Sequence, residues 1–307
     1  MNAAPAPGSG TAITPGAAIA FAGLGLMGAP MAANLARAGY RIHAIDASAQ
    51  VLAKHNDAFP DAAAALEECS AAILMLPNGD IVRSVLLEGE SALVQHLSSG
   101  ALVIDMSSSS PVGTRALAGD LREFGFGLID APVSGGVKRA IPGTLAIMAG
   151  GDSEDIERAR PLLEKLGNSI HLTGAIGTAH AMKALNNYVS AAGLMAATEA
   201  TIAAQKFGLD PHTVVNILNA STGMNNSTQN KFSQFILSRK FNAGFSLGLM
   251  AKDLRIALEV IESTGTPDWI ARPVVDAANR AEAALGGAED HTGAVKIWEL
   301  AARVRME

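Results

Sequence analysis

The sequence predicts an α/β protein of two domains. A doubly wound sheet domain comes first, then an all-helical C-terminal domain, and a long interdomain helix joins them. Three observations predict this. Short apolar runs alternate with helix-like segments from residue 17 to residue 172, the pattern of a parallel sheet covered on both faces. Past Gly174 the alternation stops and every segment reads as helix. The changeover, Gly174–Phe207, has no proline, only Gly193 as a further glycine beyond Gly177, and many strong helix formers. At 1.5 Å per residue such a helix runs roughly 45 Å. The expected boundaries are 17–176 for the sheet domain and 177–307 for the helical one, with residues 1–16 (MNAAPAPGSGTAITPG) a disordered tail.

Composition narrows the function classes. The 307 residues are 49% hydrophobic and 17% charged, enough to bury a large core. A net charge of −6 gives no electrostatic case for nucleic acid, and no basic run points to an anionic membrane. The single cysteine, Cys69, excludes an intrachain disulfide and argues against a cysteine-based zinc site; no metal is expected. There is no apolar run long enough for a transmembrane helix, and the tail lacks the basic start and apolar stretch of a signal peptide. A cytoplasmic location is the expectation.

In chain order, Ala17–Ala22 (AAIAFA) reads as a buried parallel strand. GLGLMG (Gly23, Leu24, Gly25, Leu26, Met27, Gly28) follows, then a helix to Ala38 and a second strand, Tyr40–Ile45, ending in Asp46. Glycines at the first, third and sixth positions between strand and helix form a dinucleotide-binding fingerprint of the Rossmann type. Gly23 permits the tight turn, Gly25 lets a pyrophosphate approach the backbone, and Gly28 lets the helix pack close. The helix N-terminus supplies N–H groups and partial positive charge. Asp46 can accept hydrogen bonds from the adenine ribose and would repel a 2′-phosphate, and neither Ala47 nor Ser48 offers a cation for that phosphate. NAD is therefore expected over NADP.

Further strands are read at Ala71–Leu76, Ala101–Ile104, Phe126–Ile129, Thr144–Ala149 and Ser169–Leu172, and the sheet is taken as parallel. The carboxyl edge of such a sheet is where ligands bind. Leu76, Pro77 and Asn78 turn there, as do Ser107 and Ser109 of DMSSSSP, and all five are candidate cofactor contacts. The serines could equally cap the next helix. Helices are expected at Pro211–Asn219, Ser227–Leu237, Leu249–Ser263, Trp269–Leu285 and His291–Val304.

Two further stretches could carry chemistry. DAPVSGG (Asp130–Gly136) presents the Ser134 hydroxyl and the Gly135 and Gly136 amides at the same sheet edge, and such a turn can hold a carboxylate, although it could also be only a turn. On the long helix, Lys183 and Asn187 are four residues apart and share a face. Desolvation and the helix dipole would push a lysine there down in pKa, the direction needed for an acid or base. A cleft between the two domains is the expected place for both. Lys252, in LMAKDLRIA, reads by spacing alone as a surface cap.

Four stretches in order give a resemblance. GLGLMGAPMAANLARAGY, DAPVSGG, GAIGTAHAMKALNN and AKDLRIA resemble the cofactor, substrate, catalytic and C-terminal cofactor signatures of the β-hydroxyacid dehydrogenases, over about residues 18–305. The resemblance implies a reversible hydride transfer between a nicotinamide and a small β-hydroxy acid or semialdehyde, as in 3-hydroxyisobutyrate dehydrogenase or 2-hydroxy-3-oxopropionate reductase. It implies Lys183 as catalytic lysine, Asn187 as its partner amide, Ser134 with Gly135 and Gly136 on the substrate carboxylate, and Lys252 near the nicotinamide. It places specificity residues in Ser221–Phe232, with Asn225, Asn226 and Ser227 as further contacts, and it implies a homodimer or homotetramer. Two departures stand out: Ala179 replaces a usual glycine, and His180 a frequent glutamine. An imine reductase or a non-catalytic NAD-binding protein of the same fold are the alternatives, but the first typically lacks the lysine and the second should have lost Lys183 or Ser134. The chain is too short for the larger helical domain of 6-phosphogluconate dehydrogenase.

Overall fold

A computed structural model describes residues 10–54 and 66–307. The chain divides into two compact units after Lys183, seven residues beyond the expected boundary at 176 and inside the long helix.

The first unit is built on an eight-stranded sheet. Strand β1 (Ala18–Ala22) lies one in from an edge of the sheet, with β2 (Arg41–Ile45) on one side. On the other side lie β3 (Cys69–Leu74), β4 (Leu102–Asp105) and β5 (Gly127–Asp130). All five are parallel. The chain reverses its direction of winding beside β1, so a switch point opens at the carboxyl end of that strand. Beyond β5 the sheet departs from the expected parallel arrangement. Val133–Ser134 forms a short strand β6 inside what the sequence reads as a turn, and it pairs antiparallel with β7 (Leu145–Gly150). β7 also runs antiparallel to β5, and β8 (Gly167–Gly174) pairs parallel with β7.

Side chains alternate between two buried layers. Ile19 and Phe21 of β1 pack into one core, whereas Ala18, Ala20 and Ala22 face the other. Helices α1 (Gly28–Arg37), α2 (Ala49–Leu52), α3 (Gly79–Leu87), α4 (Pro111–Glu123), α5 (Gly136–Ala140) and α6 (Ser153–Leu163) connect the strands. Cys69 is wholly buried in the second core, and burial pushes its thiol up to about 11.

The expected disordered tail needs correcting in part. Residues 1–9 lie outside the described residues, but Ile13 is buried in the first core. Its N–H donates to the Arg158 carbonyl (2.9 Å), and its own carbonyl accepts from the Tyr40 hydroxyl (3.1 Å). One apolar residue in a polar, proline-rich lead is enough to anchor the chain there.

Helix α7 (Thr178–Phe207) follows, and its later part belongs to the second unit. That unit is helical throughout: α8 (Pro211–Asn219), a π-helix over Thr228–Ile236, α9 (Leu247–Ser263), α10 (Ala271–Leu285), a 3₁₀ turn over His291–Val295 and α11 (Lys296–Ala302). Its main core packs Ala191 and Met195 of α7 against Leu247, Met250, Ala251 and Leu254 of α9 and the alanine face of α10. Among the described residues no helix is long and apolar enough to cross a membrane.

Candidate active site and cofactor site

The glycine loop is shaped by steric necessity. Gly23 has φ +94°, and a Cβ there would collide with the Met75 carbonyl oxygen. A Cβ on Gly28 would collide with the Gly23 carbonyl oxygen and lie 3.2 Å from the Phe21 ring. A Cβ on Gly25 would meet nothing within 4 Å, so the loop surface is open there. Leu26 is exposed and Met27 half-buried, and the first turn of α1 carries neither a side-chain cap nor an acidic residue. Its amides and dipole remain available to an anion.

Asp46 braces this loop. One carboxylate oxygen accepts from the Leu24 N–H and the other from the Ser48 N–H, both at 2.8 Å. Each oxygen keeps a lone pair for a further donor. These residues fit the adenosine and pyrophosphate of a dinucleotide. Among the described residues no group of His, Cys, Asp or Glu could hold a metal ion.

The other edge residues are more deeply engaged than the sequence suggests. Ser107 is buried, with its hydroxyl accepting from the Leu76 N–H (2.9 Å). Ser109 is buried too and donates to Asp105 (2.9 Å). The Asn78 side-chain oxygen caps α3 by accepting from the Ile81 N–H (2.9 Å), and Pro77 beside it is exposed. Of these side chains, Ser107 ties the end of β3 to the end of β4.

Two carboxylates that sequence reasoning left aside organise the start of α7. Asp105 and Asp130 end adjacent strands and stand side by side in register. Asp130 is fully buried, and its oxygens accept from the Gly177 and His180 N–H groups, each at 2.8 Å. It thus satisfies two of the donors a helix start leaves open. His180 is buried as well: its Nδ1 meets the Thr114 hydroxyl at 2.8 Å, and its Nε2 lies 3.7 Å from Asp105. The His180 side chain is therefore tied to α4 through Nδ1, while its buried Nε2 has no hydrogen-bond partner among the described residues. Ala179, replacing a glycine, is fully buried. Lys183, half-buried, follows one turn later.

Ser134 sits at the end of β6, paired with Ala146 of β7 and half-exposed, and Gly135 and Gly136 after it are exposed. Ladder pairing fixes the backbone that presents the hydroxyl.

In the helical unit, Asn187 donates to Asp253 (2.6 Å), whose other oxygen lies 3.4 Å from the Lys252 ammonium. Asp253 is buried and therefore fixes both residues at once. Lys252 is the sixth residue of α9, largely buried, so the expectation of a surface cap from spacing alone is overturned. Asn226 is exposed. Its neighbours serve the fold: the Asn225 side-chain oxygen accepts from the Ser227 and Thr228 N–H groups (2.8 and 3.1 Å), and Ser227 is buried against the Ser190 carbonyl (3.4 Å).

The same unit holds a strongly perturbed lysine. Burial pushes the Lys231 ammonium down to about 8, with Asp290 pulling weakly the other way. Burial, reinforced by the Lys231 charge, pushes His291 down to about 4.

Residues 18–177 match a family described as the NAD binding domain of 6-phosphogluconate dehydrogenase, and residues 177–298 one described as the NAD-binding domain of NADP-dependent 3-hydroxyisobutyrate dehydrogenase. The chain is 36% identical over 278 residues to a 3-sulfolactaldehyde reductase of Escherichia coli, covering 89% of this chain and 93% of the relative. It is 35% identical over 291 residues to a 2-hydroxy-3-oxopropionate reductase of the same organism, covering 94% and 99%. Among solved structures, a Mycobacterium tuberculosis 3-hydroxyisobutyrate dehydrogenase with L-serine superimposes with a TM-score of 0.83 at 32% identity, covering 92% of this chain and 99% of that one.

Proposed function

The chain belongs to the β-hydroxyacid dehydrogenase family and is an NAD(P)-dependent enzyme acting on CH–OH groups, and on that premise we propose that it transfers a hydride reversibly between NAD and a small β-hydroxy acid or its semialdehyde. Substrates of the 3-hydroxyisobutyrate or 2-hydroxy-3-oxopropionate kind fit this reading best. When bound, the nicotinamide supplies the hydride acceptor or donor.

Lys183 takes the hydroxyl proton at Nζ during oxidation and returns it during reduction. Asn187 holds the reacting oxygen: one of its amide N–H bonds goes to Asp253 and the other is left for substrate. Ser134 and the amides of Gly135 and Gly136 grip the carboxylate, Asn226 contacts the distal part of the substrate, and Lys252 attends the nicotinamide. Gly23 to Gly28 cradle the pyrophosphate, while Leu76, Pro77, Asn78, Ser107 and Ser109 shape the edge beside it. Asp46 supports NAD over NADP, because a carboxylate already braced by two amides cannot swing away from a 2′-phosphate. A homo-oligomer in the cytoplasm completes the proposal.

The observation that carries this reading is the fixed start of α7. Two amides of its first turn are bound to one buried carboxylate, and the lysine follows a turn later. Lys183→Met should lower kcat about 100-fold or more while leaving the NAD dissociation constant within twofold. A variant with near-normal turnover would refute the assignment. Comparable kcat/KM with NADP would refute the cofactor choice.

A further inference from the structure

Lys231 reaches out of the π-helix to α7, where its ammonium donates to the Ser190 hydroxyl at 3.2 Å. Among the described residues that is its one hydrogen bond. A lysine ammonium has three donors, so two are left over. The acidic group whose charge acts on it, Asp290, is committed elsewhere: its oxygens accept from the Gly244 N–H (2.8 Å) and the Thr292 N–H (3.0 Å). His291, whose ring stands against Phe245 with centroids 5.6 Å apart, is held neutral and offers no charge. A cation mostly withdrawn from water, with two spare donors and no bonded carboxylate, is costly unless something anionic visits it. It keeps partial exposure, so a solute can reach it.

The place of its partner Ser190 on α7 says what that solute would be. Ser190 lies three residues beyond Asn187, so the two share a face about 4.5 Å apart along the axis. We propose that Lys231, with Ser190, is a specificity site for a second anionic group on the substrate, a carboxylate or sulfonate carried a few bonds from the reacting carbon. This rests on the reading that Asn187 holds the reacting oxygen. A substrate with an alkyl end would leave the ammonium uncompensated, whereas one with an anionic end restores its charge balance and takes up its spare donors.

The test uses the full-length enzyme and a matched pair, 2-(hydroxymethyl)succinate and 2-(hydroxymethyl)butanoate, which differ by a carboxylate in place of a methyl. 2-(Hydroxymethyl)-3-sulfopropanoate separates sulfonate from carboxylate. The ratio of kcat/KM for dianion over monoanion should be at least 10 in the wild type. It should fall at least tenfold in Lys231→Met, mainly through KM, and be partly restored in Lys231→Arg. A wild-type ratio near 1, or a Lys231→Met ratio within twofold of wild type, overturns the proposal. Calorimetric binding of the same acids to the NAD-loaded Lys183→Met variant reads the site without turnover, and the dianion should bind at least tenfold more tightly there. If the wild type oxidises neither acid while that binding preference holds and vanishes in the Lys183→Met/Lys231→Met double variant, the hydride-transfer reading fails and the anion site stands.

Discussion

Asp130→Ala should loosen the start of α7 more than any other single truncation in the sheet unit. The wild-type carboxylate is fully buried and accepts two backbone N–H bonds of 2.8 Å, from Gly177 and His180. Hydrogen bonds to charged groups contribute about 1.5–3 kcal/mol each, and the charge also sits at the positive end of the helix dipole. Alanine leaves both donors buried without acceptors, so the local cost is about 4 kcal/mol. At about 1.4 kcal/mol per decade, amide exchange protection over Gly177–Lys183 should fall about a thousandfold. Asp130→Asn keeps one acceptor oxygen and should cost about half as much. Mass-spectrometric hydrogen exchange on the intact enzyme reads both, and kcat should fall in the same order because Lys183 rides on the turn that follows. Protection within threefold of wild type in Asp130→Ala would show that the carboxylate does not hold the helix.

Gly28→Ala puts a methyl group against the Gly23 carbonyl and the Phe21 ring, so α1 must move away from β1. NAD binding should weaken at least tenfold and stability drop by about 1–3 kcal/mol, as read by fluorescence titration and urea unfolding. His291 has a folded-state pKa pushed down to about 4 by burial and by Lys231. Between that value and the ordinary 6.5 the unfolded chain binds the extra proton, so the stability is fully present above about pH 6.5 and is lost as pH falls toward 4. The loss is about 3 kcal/mol at most, and it should appear as a steep fall in Tm that His291→Gln flattens. An unchanged slope in that variant would assign the acid sensitivity to other groups.

How much of this was legible in the sequence follows from the range of the interactions. Gly23, Gly25, Gly28 and Asp46 are legible because a turn, a close approach and a strand end are local backbone demands. The long helix is legible because thirty residues without proline leave few alternatives. The direction of β7 was not, because strand periodicity carries no sign of parallel or antiparallel pairing. The π-helix over Thr228–Ile236 was not, because its composition is that of any amphipathic helix. Asp130, His180 and Asp253 were missed as positioning groups because their partners lie 47 to 66 residues away. A signal was present for one of them: Asp130, like Asp105 beside it, closes an apolar strand run, where a buried carboxylate must find donors.

Three of the buried carboxylates, Asp105, Asp130 and Asp253, share one task, and all three are aspartates. Asp105 accepts from Ser107 and Ser109, Asp130 from the first turn of α7, and Asp253 from Asn187 beside Lys252. Each side chain is short, with few rotamers, and each closes its hydrogen bonds on groups of its own unit. A glutamate in any of these places would carry an extra methylene into a close-packed interior and spoil the 2.6–2.9 Å contacts on which the donors depend. Lys183, Asn187 and Lys252 are long or rotatable groups, and the roles proposed for them depend on being held still. Their supports are rigid anions placed at strand ends and a helix face, so the precision of the proposed chemistry comes from residues with no reaction of their own.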